Sequence, residues 1–231
     1  MLEFKRDRMP TTRGAPGRGS LDTAEDIRAG VRALRRKCAA MRHVHDATGD
    51  PPLRRRPAGL EGLARIVVGQ QLSIASAGAI WGRVAVAIQP LRADVLLQAS
   101  DEKLTGTGLS RAKIKTLRAI AIAVADDGLD LERLAGASDE AVHEALRRVS
   151  GVGPWTTDIF LMFCLGRRDA FAAGDLALQV AAQHALGLAD RPSAPELLEL
   201  AERWRPWRGV AARLLWAYYR LGKRPGSGAP V

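Results

Sequence analysis

Apolar residues along this chain recur at spacings of three and four, and no segment sustains a two-residue alternation, so every regular element the pattern predicts is a helix. The first runs from about Thr23 to Met41, opened by Asp22 with Glu25 three residues on. HDATGDPPLRRRP at 45–57 combines turn residues, prolines and an arginine run, and reads as a loop crossing between lobes. Residues 59–88 read as two helices meeting near Gly69–Ser73, and 110–125 as a helix with Ser110 as its N-cap. LTGTGL at 104–109 is a glycine turn. Asp139–Val149 and Pro154–Leu165 flank a second one, Gly151-Val152-Gly153. A helix then follows Asp175, Ser193 and Glu196 form a capping-box pattern for the next, and Trp207–Leu221 is the last. The chain is all-α.

The turn at 151–153 carries the first hint of chemistry. Gly151 and Gly153 read as positions of positive φ, and Pro154, which lacks an N–H, suits the first position of a new helix. Amides at such a junction face an anion readily, and a nucleic-acid phosphate is one. A glycine-capped helix junction would give the same pattern.

Composition sharpens this. The 231 residues are 47% apolar, enough for a substantial core, and carry a formal charge of +10 with pI near 10.5, mostly through arginine. That balance favours a polyanionic partner, although solvated arginine-rich helix faces produce it too. Cys38 and Cys164 are too few for a disulfide framework, a cysteine zinc site or a four-cysteine cluster, and read as buried free thiols. The four histidines lack metal-ligand spacing, so no metal is expected, and neither GxGxxG nor a P-loop appears, so no nucleotide cofactor is. The first twenty residues lack the apolar core of a signal peptide and no apolar run would span a bilayer, which points to a cytoplasmic protein with no membrane partner. Residues 1–20 are expected to be disordered and basic, 21–221 to fold, and 222–231 to form a flexible tail.

Four motifs stand in order: VVGQQLSIASA at 67–77, GVGPWT at 151–156, FAAGDLALQ at 171–179 and ERWRPWRGVAARLLW at 202–216. Together they resemble the helix–hairpin–helix DNA glycosylases, and most the branch that removes alkylated purines, the 3-methyladenine DNA glycosylase II type. The resemblance spans roughly residues 20–221 and implies a two-lobed helical fold with the active site between the lobes. It implies a monomer acting on double-stranded DNA with damaged bases in base excision repair. Rival readings are a glycosylase for oxidised or deaminated bases and a non-catalytic damage-binding module.

Residue by residue, the resemblance makes Asp175 catalytic; taken alone, an Asp after Gly and before LALQVA is a helix N-cap, and both roles are compatible. Asp158 and Asp169 are rival carboxylates, Asp169 a candidate partner for Arg167 and Arg168. Trp155 stands where strand-cutting relatives carry a nucleophilic lysine, which implies hydrolysis without lyase activity. Trp155, Trp207 and Ile159 are the implied pocket residues, with Trp81, Trp204 and Trp216 assigned to the core. A tryptophan wall also suits a cationic alkylated purine. DNA contacts are implied for the amides of Gly151, Val152 and Gly153, and for Gln70, Gln71, Leu72, Arg111, Lys113 and Arg208. Either Gln71 or Leu72 fills the gap left by the extruded base, and the hairpin carbonyls can hold a monovalent cation. Lys113, Lys115 and Lys223 are expected to be solvated.

Overall fold

A computed structural model describes residues 19–222. The expected disordered segment and tail therefore lie almost wholly outside the described residues. At the near edge of the first, Ser20 pairs with Arg167 in an isolated antiparallel bridge and Leu21 N–H donates to Gly166 O at 2.7 Å, so the ordered chain begins before residue 21.

The helices are α1 (Ala24–Lys37), α2 (Ala39–Thr48), α3 (Leu60–Gly69), α4 (Ile74–Ala87), α5 (Ala93–Gln98), α6 (Asp101–Gly106), α7 (Arg111–Ala125), α8 (Asp139–Arg147), α9 (Pro154–Ile159), α10 (Leu176–Leu186), α11 (Ala194–Ala201) and α12 (Arg208–Leu221). They form two lobes. α1, α2, α10, α11 and α12 pack together, α3 through α9 form the other group, and the chain crosses between them near residues 49–59 and again after α9. No helix of the described residues is long and apolar enough to cross a membrane.

Several predicted caps hold. The Ser110 hydroxyl accepts from Lys113 N–H at the start of α7, and Ser193 with Glu196 makes a reciprocal capping box on α11. The first helix departs from its expected form. Its cap is Thr23, paired with Asp26, rather than Asp22 with Glu25. It also breaks at Cys38, whose backbone is extended, and α2 then runs to Thr48 inside the expected loop. Arg42 bridges the break by donating to the orphaned Arg35 carbonyl at 3.1 and 3.3 Å. Cys38 is accordingly half-exposed at a junction, and only Cys164 is the buried thiol expected. α5 fills a stretch for which the sequence pattern predicts no element, and α6 runs to Gly106 inside the glycine turn expected at 104–109, where Gly108 but not Gly106 has positive φ.

The predicted helix Pro154–Leu165 is α for six residues and then widens into a π turn over Phe160–Cys164, every one of them buried. Carbonyls there find donors from elsewhere: Arg56 N–H reaches Phe163 O at 2.9 Å and Arg213 reaches Met162 O at 3.0 Å. Arg213 also donates to Leu53 O and Gly209 O, tying the crossing loop to α12. Its burial pushes the guanidinium pKa down to about 9.

Candidate active site

Asp175 sits where a tight loop becomes α10. Ala173 N–H donates to Phe171 O and Asp175 N–H to Ala172 O, which folds residues 171–175 back before the helix starts. Asp175 is then the N-cap, its Oδ1 accepting from Leu178 N–H at 3.1 Å. Two indoles complete its shell: Trp155 Nε1 donates to Oδ2 at 2.8 Å and Trp216 Nε1 to Oδ1 at 3.0 Å. Indole N–H groups only donate, so they match a carboxylate acceptor. A carboxylate offers about four lone-pair sites, and three are used. The residue is 3% exposed yet lines a cavity, so one direction of approach stays open.

That cavity, about 750 Å³, lies between the lobes. One lobe contributes the turn Gln70–Ser73 with Gly153, Trp155 and Thr156; the other contributes Gly174–Ala177 and Tyr219. A larger cleft of about 1380 Å³ runs behind Trp155, between α8 and α11, and does not reach Asp175. Chemistry at the carboxylate belongs to the smaller space.

The turn at 69–73 is held under strain. Gln71 has φ of 56° and is exposed at its tip, whereas Leu72 is half-buried. A left-handed non-glycine residue costs about 1–2 kcal/mol, which the surroundings must offset. Gln70 Nε2 donates to Thr156 Oγ1 at 2.9 Å, and Lys113 Nζ donates to Val68 O at 2.7 Å and Gln70 O at 2.9 Å. Lys113 is thus half-buried against carbonyls instead of solvated and facing phosphate, and burial pushes its pKa below the ordinary lysine value. Arg111 is exposed at the first position of α7, as a phosphate contact requires.

The hairpin meets expectation in part. Gly151 has φ of 85° and packs so closely on α7 that an added Cβ would stand 1.9 Å from Thr116 Oγ1. Gly153 is extended, with φ of −98°, and open space surrounds its Cβ position, so the positive φ expected there is absent. Val152 is buried and its N–H donates to Val149 O, which removes that amide from the anion-facing set.

Three further assignments change. Trp207 does not line the cavity; it packs on Gly30 of α1, with the Arg168 guanidinium 5.0 Å from its ring centre. Trp216, one helix face along, takes the place at the carboxylate. Ile159 is closed into the core at 1% exposure. Arg208 is bound internally by Asp169 at 3.1 Å and Glu202 at 3.0 Å, and its side chain is only 12% exposed. Asp169 therefore pairs with Arg205 and Arg208, not with its sequence neighbours. Tyr219, Thr156 and the role of Trp216 escape the sequence reading. A usable signal existed for Tyr219, which lies three residues after Trp216 on the same face of α12.

Asp158 faces His143 at 3.1 Å. That hydrogen bond raises the histidine pKa above its ordinary value, while burial pushes the Asp158 carboxyl up. The raised histidine contributes stability fully below its ordinary pKa of 6.5 and loses it as pH rises through the folded-state value. Asp158→Asn should lower the His143 pKa, read from its ring-proton NMR titration; an unmoved titration would mean the pair is not formed in solution.

Comparison with known proteins agrees with this geometry. The chain is 34% identical over 229 residues to a Mycobacterium tuberculosis protein described as a probable bifunctional transcriptional activator/DNA repair enzyme AlkA, covering 94% of this chain and 44% of that one. This chain thus spans less than half the length of that relative. It is 30% identical over 168 residues to DNA-3-methyladenine glycosylase 1 of Schizosaccharomyces pombe, covering 70% of this chain and 72% of that protein. A solved structure of S. pombe 3-methyladenine DNA glycosylase (Mag1) in complex with abasic DNA superimposes with a TM-score of 0.76 at 25% identity, over 85% of this chain and 98% of the other. The model of the HhH-GPD superfamily base excision DNA repair proteins matches residues 64–206, a span that takes in the Gln turn, the hairpin and Asp175. On that match, and on the helical fold shared with the solved glycosylase, this chain belongs to the HhH-GPD superfamily.

Proposed function

We propose that the chain is a monofunctional DNA glycosylase that extrudes alkylated purines, such as 3-methyladenine, from duplex DNA and hydrolyses the N-glycosidic bond. One observation carries the reading: a carboxylate fixed by two indole N–H groups and a helix amide at the wall of an interlobe cavity. The cavity volume lies within the range of about 300–1,000 Å³ that accepts small-molecule-sized groups. The names of the relatives support the alkylated-base class.

Departure of the base builds positive charge on the sugar, as in other oxocarbenium-like transition states. Asp175, held rigidly beside that carbon, stabilises the charge and orients the attacking water. Trp155 and Tyr219 are the aromatic walls against which the flipped base rests. A cationic purine adds a cation–π contribution of about 0.5–2 kcal/mol. Gly151, Gly153 and Arg111 take backbone phosphates. Gln71, exposed at the tip of its turn, fills the gap in the duplex in preference to the half-buried Leu72.

Strand cleavage needs an amine that forms a Schiff base at C1′. Trp155 cannot supply one, and Lys113 Nζ is engaged by two carbonyls. The expected product is free base plus an intact abasic strand, cut only after alkali or an added endonuclease. Borohydride during turnover should trap no protein–DNA adduct; an adduct mapped to a lysine would remove the monofunctional assignment and leave the glycosylase one standing.

A further inference from the structure

Lys113 belongs to α7, yet its ammonium reaches across to the end of α3. There it joins two carbonyls, Val68 O at 2.7 Å and Gln70 O at 2.9 Å. Val68 lies in the last turn of α3, whose carbonyls have no intrahelical partner and carry the negative end of the helix dipole. Gln70 is the residue before left-handed Gln71. Fixing both carbonyls on one cation sets the peptide plane from which Gln71 departs. On the other side, Gln70 Nε2 is tied to Thr156 Oγ1, next in sequence to Trp155. The turn is therefore held from α7 and from α9 at once, with its tip at the cavity mouth.

We propose that Lys113 is a positioning residue: it clamps the Gln70–Gln71 turn in the conformation that lets Gln71 hold the duplex open, and does so without touching DNA. This rests on the proposed role of Gln71 in filling the gap in the duplex, and on the glycosylase reading only for its catalytic readout. The role differs from a phosphate contact in a measurable way. A lysine that neutralises a phosphate contributes about 0.9 to the slope of log affinity against log salt, whereas a clamp contributes nothing to it.

The test compares Lys113→Met, which keeps the stem and removes the donors, with Lys113→Arg, which keeps donors and charge. Two quantities are read: affinity for undamaged duplex across a salt series, and the ratio of affinity for a duplex with a stable abasic analogue to that for undamaged duplex. For Lys113→Met the salt slope should match the parent while the abasic preference falls about tenfold or more. Single-turnover base release should fall with it. Lys113→Arg should recover most of both. Thr156→Val, which unties the opposite side of the turn, should lower the abasic preference in the same sense. A slope reduced by about one would make Lys113 a phosphate contact and overturn the proposal, as would an unchanged abasic preference in Lys113→Met. The preference needs no catalysis, so it judges Lys113 even if the parent releases no alkylated base.

Discussion

Asp175→Asn should abolish most base release, by about 10²–10⁴-fold in the single-turnover rate, while the protein stays folded and binds DNA at least as well. The substitution keeps an oxygen for the Leu178 amide, so the α10 cap persists. It cannot keep both indoles. Oδ1 accepts from Trp216 and Oδ2 from Trp155, and an amide presents N–H₂ on one side, so one indole N–H then meets a donor. Losing that charge-assisted hydrogen bond costs about 1.5–3 kcal/mol, less than the stability of a domain. Loss of a negative charge beside the duplex should leave affinity equal or tighter. A variant that turns over like the parent would place the chemistry on another group.

Gly151→Val should be the most damaging substitution in the hairpin, through the fold rather than through direct contact. A β-branched residue at φ of 85° is strained by about 1–2 kcal/mol, and its Cβ would stand 1.9 Å from Thr116 Oγ1. Relieving that overlap costs about 1–3 kcal/mol more. Thermal denaturation should therefore shift downward by on the order of 10 °C, with loss of undamaged-duplex binding as the hairpin moves off α7. Gly153→Val is the control. Its backbone is extended and its Cβ position open, so stability should stay within about 0.5 kcal/mol of the parent. Equal melting temperatures for the two variants would show that the hairpin does not pack on α7 as described.

The contrast between these glycines shows where sequence reading stops. Ser110, Ser193 with Glu196 and Asp175 were legible because a cap is a local hydrogen bond, set within three residues, and Pro154 because a residue without an N–H suits the first helical position. Which glycine of GVG is left-handed was not, since the choice depends on how α7 approaches the turn. The π turn at Phe160–Cys164 likewise answers to tertiary demands, met by Arg56 and Arg213 from distant positions, whereas the break at Cys38 is bridged locally by Arg42 without a turn residue to announce it. Asp175 was legible as cap and as candidate catalyst. The second tryptophan beside it was not: Trp216 lies 41 residues on, and only the packing of α12 on α10 brings the two together, while Trp207 in the conspicuous RWRPWR motif turns toward α1. Arg208 and Lys113 follow the same logic. A basic residue in a basic protein suggests phosphate, and the structure gives each an internal partner.

The most direct measurement incubates the protein with duplexes that each carry one defined lesion and quantifies the free base released, with Asp175→Asn in parallel. Free 3-methyladenine should appear with the parent and not with the variant, from strands that remain uncut until alkali is added. Release confined to oxidised or deaminated bases, or no release from any duplex despite tight binding, would contradict an alkylated-purine glycosylase built on Asp175.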